Sequence, residues 1–304
     1  MKRRMLDFLI CPYDRFGPFE LISDKLVCRQ CKREYPIISG IPSIMPDALN
    51  NEAKAKEIKK RDELATTYQA HFTDYMNRIE AKVIFNRLRP DLGDLIIDIG
   101  SGTGRLAIDY KDKCKSFLAV DFSLESLKVL KEKLVACGMH NFDILHADVT
   151  FLPVRDKFFD KALSSQVFEH LPGEAARQQG LSNVSRVLKD SGEFVLTVYN
   201  YNLYKRTNIF GVDTTGNKKE GFHSQDQIYY YNFTRNDLKK FLNVLFLVKD
   251  IMGFFSVPRQ ITWKFKGKIG KCLGDIIMCL DLALSKMRIS DVLGLLLVAK
   301  CKKC

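Results

Sequence analysis

A chain of 304 residues that is 46% apolar can bury a substantial core, which excludes disorder as its resting state. Its formal charge of +12 is lopsided, with 14 Lys and Arg against 5 Asp and Glu in residues 234–304. That field suits an anionic partner such as RNA, a phosphorylated metabolite or an acidic membrane surface, or else a merely solvated basic face.

Met1-Lys2-Arg3-Arg4 leads into Asp7 and Cys11 without an apolar signal stretch, and no run of about 18 uncharged apolar residues follows. The expectation is a cytoplasmic protein with no transmembrane segment. Residues 1–46 are interrupted by Pro12, Gly17, Pro18, Pro36, Gly40, Pro42 and Pro46, too often for long helices, and predict a small β-type knuckle. Cys11, Asp14, Cys28 and Cys31 stand there in two pairs of x2 spacing, the spacing by which one turn offers two ligands to a tetrahedral metal. Three thiolates and a carboxylate can hold one structural zinc. The alternative is a degenerate knuckle in which Leu9, Ile22, Leu26, Tyr35 and Ile37 pack together without metal.

Residues 47–90 are charged and nearly free of breakers, and Leu64, Tyr68, Phe72, Tyr75, Ile79, Val83 and Leu88 recur near helical spacing, predicting a helical linker or cap. Residues 91–304 alternate apolar runs at 95–99, 116–120, 142–146 and 194–198 with amphipathic segments. This predicts an α/β domain whose mostly parallel sheet is covered by helices on both faces, with insertions at about 200–233 and 251–292. Cys114, Cys137, Cys272 and Cys279 sit singly in apolar surroundings and read as reduced core thiols.

The first strand ends in Asp98-Ile-Gly100-Ser101-Gly102-Thr-Gly104, where glycines allow a sharp turn and the close approach of a ligand. Asp121 closes the next strand and can accept both hydroxyls of a ribose, and Asp148 follows the third. Ligands of open α/β sheets bind outside the carboxyl ends of the strands, so these carboxylates converge on one crevice. A dinucleotide-dependent dehydrogenase shares the first turn, but its GxGxxG spacing does not match glycines at 100, 102 and 104, and carboxylates would repel a pyrophosphate.

At these residues, over roughly 90–250, the chain resembles class I S-adenosylmethionine-dependent methyltransferases of the type 11, ubiquinone-biosynthesis-like group. The stretch 98–104 is similar to the family's first motif, Asp121 to its ribose acid, and 147–153 to the stretch whose Asp contacts the adenine amine. Segments 159–165 and 186–194 resemble the next two motifs, although Asp190-Ser-Gly192 replaces the usual Pro-Gly-Gly turn. The resemblance implies a Rossmann-like seven-stranded sheet and S-adenosyl-L-methionine as cofactor. The implied cofactor-binding set is Asp98, Gly100, Ser101, Gly102, Gly104, Asp121, Phe122, Asp148, Val149, Ser165 and Gln166. Residues 9–12 and 35–42 resemble the zinc-ribbon family of tRNA-methyltransferase activators, which in bacteria is sometimes fused to a methyltransferase.

Methyl transfer is an in-line displacement that chiefly requires alignment and exclusion of water. His170 is the candidate catalytic base, with a purely loop-capping role as the alternative. Gln166, Glu169 and His170 would share one face if helical. Relatives that bind a divalent metal place Glu at the first of these positions, so Gln166 predicts no catalytic metal. Tyr199, Tyr201, Tyr204, His223 and Tyr229–Tyr231 are expected to lid the site or to pack an insertion. Ile269, Cys272, Leu273, Ile276, Ile277 and Leu280 trace a helical stripe, read as facing the core rather than a membrane surface. Cys301 and Cys304 are expected to lie in a frayed, solvated tail.

Three functions follow: methylation of a hydroxyl or amine on a small-molecule substrate, methylation of tRNA or rRNA, and a non-catalytic binding module of the same fold. The intact acidic and glycine positions argue against the third.

Overall fold

The structure is a computed structural model that describes residues 1–47, 51–67, 74–207, 218–224, 227–256 and 267–304, excepting the side chains of 74–76 and 267–274. In chain order it forms β1 (Glu20–Ile22), β2 (Lys25–Val27), β3 (Glu34–Ile38), β4 (Ile41–Ile44), α1 (Glu52–Leu64), α2 (Asp74–Leu88) and β5 (Leu95–Ile99). Next come β6 (Ser116–Asp121), α3 (Leu124–Ala136), β7 (Phe142–Ala147), β8 (Phe159–Ser165), α4 (Glu174–Val187), β9 (Leu188–Tyr199) and α5 (Leu203–Thr207). The chain ends with β10 (Glu220–Phe222), β11 (Tyr229–Tyr231), α6 (Arg235–Leu242), β12 (Phe246–Phe254), α7 (Gly267–Leu284), α8 (Ser290–Leu293) and β13 (Leu296–Lys303).

The expected Rossmann-like α/β sheet is present as β7-β6-β5-β8-β9-β13-β12, in which β5 to β9 run parallel and β13 is antiparallel to both β9 and β12. Its central strands read as continuous apolar runs because both faces are covered: residues 96–99 of β5 and 117–121 of β6 are buried without alternation. One face carries Ile79 and Val83 of α2 with Leu127 and Leu130 of α3, and the other carries Leu181 and Val184 of α4 with Leu238 of α6.

The knuckle does not stand apart. β4 pairs in parallel with β7, Ser43 opposite His146 and Ile44 opposite Ala147, and extends the sheet to 11 strands. Leu9 bridges Val154, and Cys11, Leu26, Cys28 and Tyr35 share one apolar cluster with Leu145, Val154 and Phe159. Of the residues read as packing the knuckle, Leu9, Leu26 and Tyr35 are buried and Ile37 packs against them, whereas Ile22 is exposed because β1 is the sheet's edge.

Three further expectations are corrected. Cys301 is fully buried in β13, between β9 and β12, so it lies in a core strand and not in a frayed tail, and of the pair Cys304 alone is exposed, just past the strand. Residues 251–254 belong to β12, so the second insertion begins after that strand. In α7, Ile277 packs on the core but Ile276, Cys279 and Leu280 are exposed, contrary to a core-facing stripe; Ile269, Cys272 and Leu273 lie outside the described side chains. Tyr68, Phe72 and Tyr75, expected on the cap helix, also lie outside them.

Candidate functional site

A cleft opens at the carboxyl ends of β5, β6 and β8, lined by Asp98, Gly100, Ser101, Gly102, Asp121, Phe122, Asp148, Ser165, Gln166 and His170 among others. It spans about 970 Å³ of non-atom space with open solvent included. Gly104 and Val149 do not line it: Gly104 backs onto Leu130 of α3, and Val149 is packed in the core.

The glycine turn is held by the strand it leaves. Gly100 N and Ser101 N both donate to Val120 O, at 2.8 and 3.0 Å, so the chain folds back across β6. Gly100 has φ +76°, and a Cβ there would meet Val167 Cγ2 at 2.1 Å. Gly102 has φ +51° and nothing within 4 Å of the position a Cβ would take, so its backbone is bare toward the cleft. Gly102 N donates to Asp121 Oδ2 at 2.8 Å and Ser123 N to Oδ1 at 2.8 Å, leaving lone pairs on each carboxylate oxygen.

The carboxylates are costly to ionise where they stand. Burial pushes Asp98 up to about 7 against the Ser101 hydroxyl, and the nearby Asp121 charge adds to the rise. Burial also raises Asp121, against the Ser123 and Gly102 amides. Asp148 is satisfied internally: Thr150 N and Oγ1 donate to Oδ1 at 2.7 and 2.8 Å, and Lys54 Nζ to Oδ2 at 2.5 Å.

Lys54 belongs to a wall that periodicity alone did not reveal. α1 lays Lys54, Glu57 and Arg61 along the cleft, and its Asp62 accepts from Ser123 Oγ at 2.6 Å and Glu125 N at 3.2 Å. Glu80 of α2 is the second missed residue. Fully buried, it takes hydrogen bonds from Arg105, Ser165, Gln166 and Thr197. Burial opposes its ionisation, but the Arg105 guanidinium outweighs that and holds its carboxyl below the usual range. In sequence both had only the look of solvated helix charges.

Gln166 (φ +57°) precedes a short turn at Phe168–His170, so the segment is not a regular helix. Gln166 and His170 line the cleft while Glu169 turns inward, where burial pushes its carboxyl up to about 8, so the three do not share a face. His170 Nδ1 lies 2.9 Å from Tyr229 O, which can only accept, so Nδ1 carries the proton and Nε2 of the neutral ring keeps its lone pair. Burial lowers the imidazole's pKa and keeps it neutral. Tyr199 meets His170 edge-on at 5.7 Å, and the β10–β11 hairpin supplies Tyr229. Thus part of the aromatic insertion backs the candidate base rather than lining the cleft.

At the knuckle, one ligand atom from each of Cys11, Asp14, Cys28 and Cys31 lies within 4.8 Å of the others. Cys11 Sγ and Cys31 Sγ are 3.6 Å apart, near the ~3.8 Å edge of a tetrahedron with zinc–sulfur bonds of about 2.3 Å. Burial opposes ionisation of Asp14, but the Phe16 amide and the cysteine thiols hold its carboxyl at about 2. Tyr13, between Cys11 and Asp14, packs edge-on against Phe151 at 4.9 Å, three residues beyond Asp148.

These features define a cleft lined by carboxylates and glycines on a Rossmann-like sheet joined to a knuckle of clustered cysteines, and comparison with known proteins gives the class. Residues 97–196 match the methyltransferase domain family and residues 2–40 the Trm112p-like protein family, so the chain carries a methyltransferase domain behind a Trm112p-like segment. An uncharacterised protein of Methanocaldococcus jannaschii is 35% identical over 140 residues, 46% of this chain and 50% of that protein. The Arabidopsis thaliana tRNA (carboxymethyluridine(34)-5-O)-methyltransferase is 31% identical over 107 residues, 35% of this chain and 24% of that enzyme. The chain thus spans half or less of these relatives' length. Among solved structures, the Burkholderia thailandensis 1,6-didemethyltoxoflavin-N1-methyltransferase, bound to 1,6-didemethyltoxoflavin and S-adenosylhomocysteine, has the same fold. It superposes with a TM-score of 0.56 at 17% identity, over 90% of this chain and 97% of that one.

Proposed function

We propose that this chain is an S-adenosylmethionine-dependent methyltransferase acting on an oxygen or nitrogen of a small molecule. The observation that carries the reading is the convergence of Asp98, Asp121 and Asp148 with a bare Gly102 backbone in one cleft, within a methyltransferase domain. Bound there, the cofactor would supply an electrophilic methyl group on a sulfonium. There Asp121 would accept two ribose hydroxyls, Asp98 would face the cationic amino-acid end, and Asp148, beside Thr150 and Lys54, would take the adenine amine. α1 and the turn at Phe168–His170 wall the cleft against water, and His170 offers Nε2 to a proton leaving the acceptor. A small acceptor suits the aromatic backing of His170 by Tyr199.

Titration calorimetry with S-adenosylmethionine and S-adenosylhomocysteine tests the cofactor. Both should bind, and Asp121→Ala should weaken binding about tenfold or more, because a charged hydrogen bond contributes roughly 1.5–3 kcal/mol. Unchanged affinity in Asp121→Ala would reject the assignment. The tRNA-methyltransferase relative and the basic C-terminal third favour a second reading, methylation of RNA. Binding of bulk tRNA that falls steeply with salt would support it over the first. We further infer that Cys11, Asp14, Cys28 and Cys31 hold one structural zinc, on the donor set and spacing above.

A further inference from the structure

We propose that the outward face of α7 and α8 is a docking surface for an anionic lipid bilayer. Ile276 and Leu280 are 52 and 55% exposed, and with exposed Cys279 and Ala283 they form one stripe at helical spacing on α7; Met287, 58% exposed, follows in the turn after it. Ile289, at the start of α8, and Val292 within it are each 49% exposed. The helix is firmly seated, because Ile277, Met278 and Leu282 pack on the core and Asp281 Oδ1 accepts from Ser256 N at 2.9 Å. The apolar stripe therefore belongs to a docked helix whose inner face is already packed on the core.

Charge selects the occupant. The acids of α7 and α8 are neutralised or buried: half-exposed Asp275 pairs with Arg78, Asp281 is buried, and Asp291 pairs with Arg235. Lys286 and Arg288 are exposed between the apolar side chains, and the sequence adds Lys268 and Lys271 to α7. Aliphatic side chains flanked by cations match the interface of an anionic membrane, where the chains enter the acyl boundary and the cations meet headgroup phosphates. No described helix is long and apolar enough to cross a membrane, so the attachment is to one surface. Asn200 and Asn202 bond to the carbonyls of Asp291, Leu293 and Gly294, which places α8 beside the carboxyl end of β9.

The test uses the full chain and sedimentation with vesicles of phosphatidylcholine alone or mixed with phosphatidylglycerol. The protein should bind the mixed vesicles, and the double variant Ile276→Asp, Leu280→Asp should lose about tenfold or more in partitioning. Lys286→Glu with Arg288→Glu, and raised salt, should also weaken binding. All four residues are exposed, and unchanged melting confirms that the variants fold. Failure to bind mixed vesicles, or equal binding by the wild type and both double variants, would overturn the proposal. So would a wild-type dimer that the Ile276→Asp, Leu280→Asp variant splits into monomers by light scattering. Because cofactor binding is measured separately, by calorimetry, failure here leaves the catalytic reading untouched.

Discussion

Glu80, buried within α2, ties together the turn after β5, the end of β8 and Thr197 of β9 through one carboxylate. Its removal would take the buried carboxylate from Arg105, Ser165, Gln166 and Thr197 together, so Glu80→Ala should destabilise the protein by about 3–5 kcal/mol in urea unfolding. Its pKa is depressed by Arg105, so this stability is present above the unfolded-state pKa and is lost as pH falls through the folded one. Asp98 has the opposite sign. With its carboxyl raised to about 7 by burial, the folded state holds a proton that the unfolded state releases, so stability falls as pH rises from about 4 to 7. Asp98→Asn should therefore raise the melting temperature of the ligand-free protein at pH 8, give no such gain below about pH 4, and lose S-adenosylmethionine binding. A variant no more stable at pH 8 would show that the burial cost is met elsewhere.

At the scale of elements, β4 acts on the cleft through its neighbour. Ile44 is fully buried opposite Ala147, the residue before Asp148, and Ser43 bonds to His146 Nδ1 at 2.7 Å while His146 Nε2 donates to Phe122 O at 3.0 Å. Ile44→Ala should cost about 2–5 kcal/mol in stability and also weaken cofactor binding, because the strand end that carries Asp148 loses its packing. Stability loss with unchanged affinity in the residual folded fraction would confine β4 to a structural role. α1 and α7 show how charge pattern misleads at this scale. Helix α1, readable as a linker or a cap, walls the cleft, and α7 reads as core-facing yet shows Ile276 and Leu280 to solvent.

For the whole molecule the shared core decides how the knuckle behaves. Because Cys11 and Cys28 sit in one cluster with Leu145 and Val154, loss of zinc should lower the melting temperature of the entire chain in a single transition. Elemental analysis should find close to one zinc per chain, and Cys28→Ser should release it. A separate low-temperature transition confined to residues 1–46 would instead make the knuckle an independent unit. By itself the sequence determined the parallel α/β class, the glycine turn, the strand-end carboxylates and the cysteine spacing, because each is a local pattern with a local physical cause. Only the tertiary structure decided that β4 joins β7, that Glu80 and Lys54 serve the cleft, that His170 is held by Tyr229, and that Cys301 lies in a buried strand. Those contacts join residues far apart in the chain, and a lone charge or thiol has no periodicity that announces its partner.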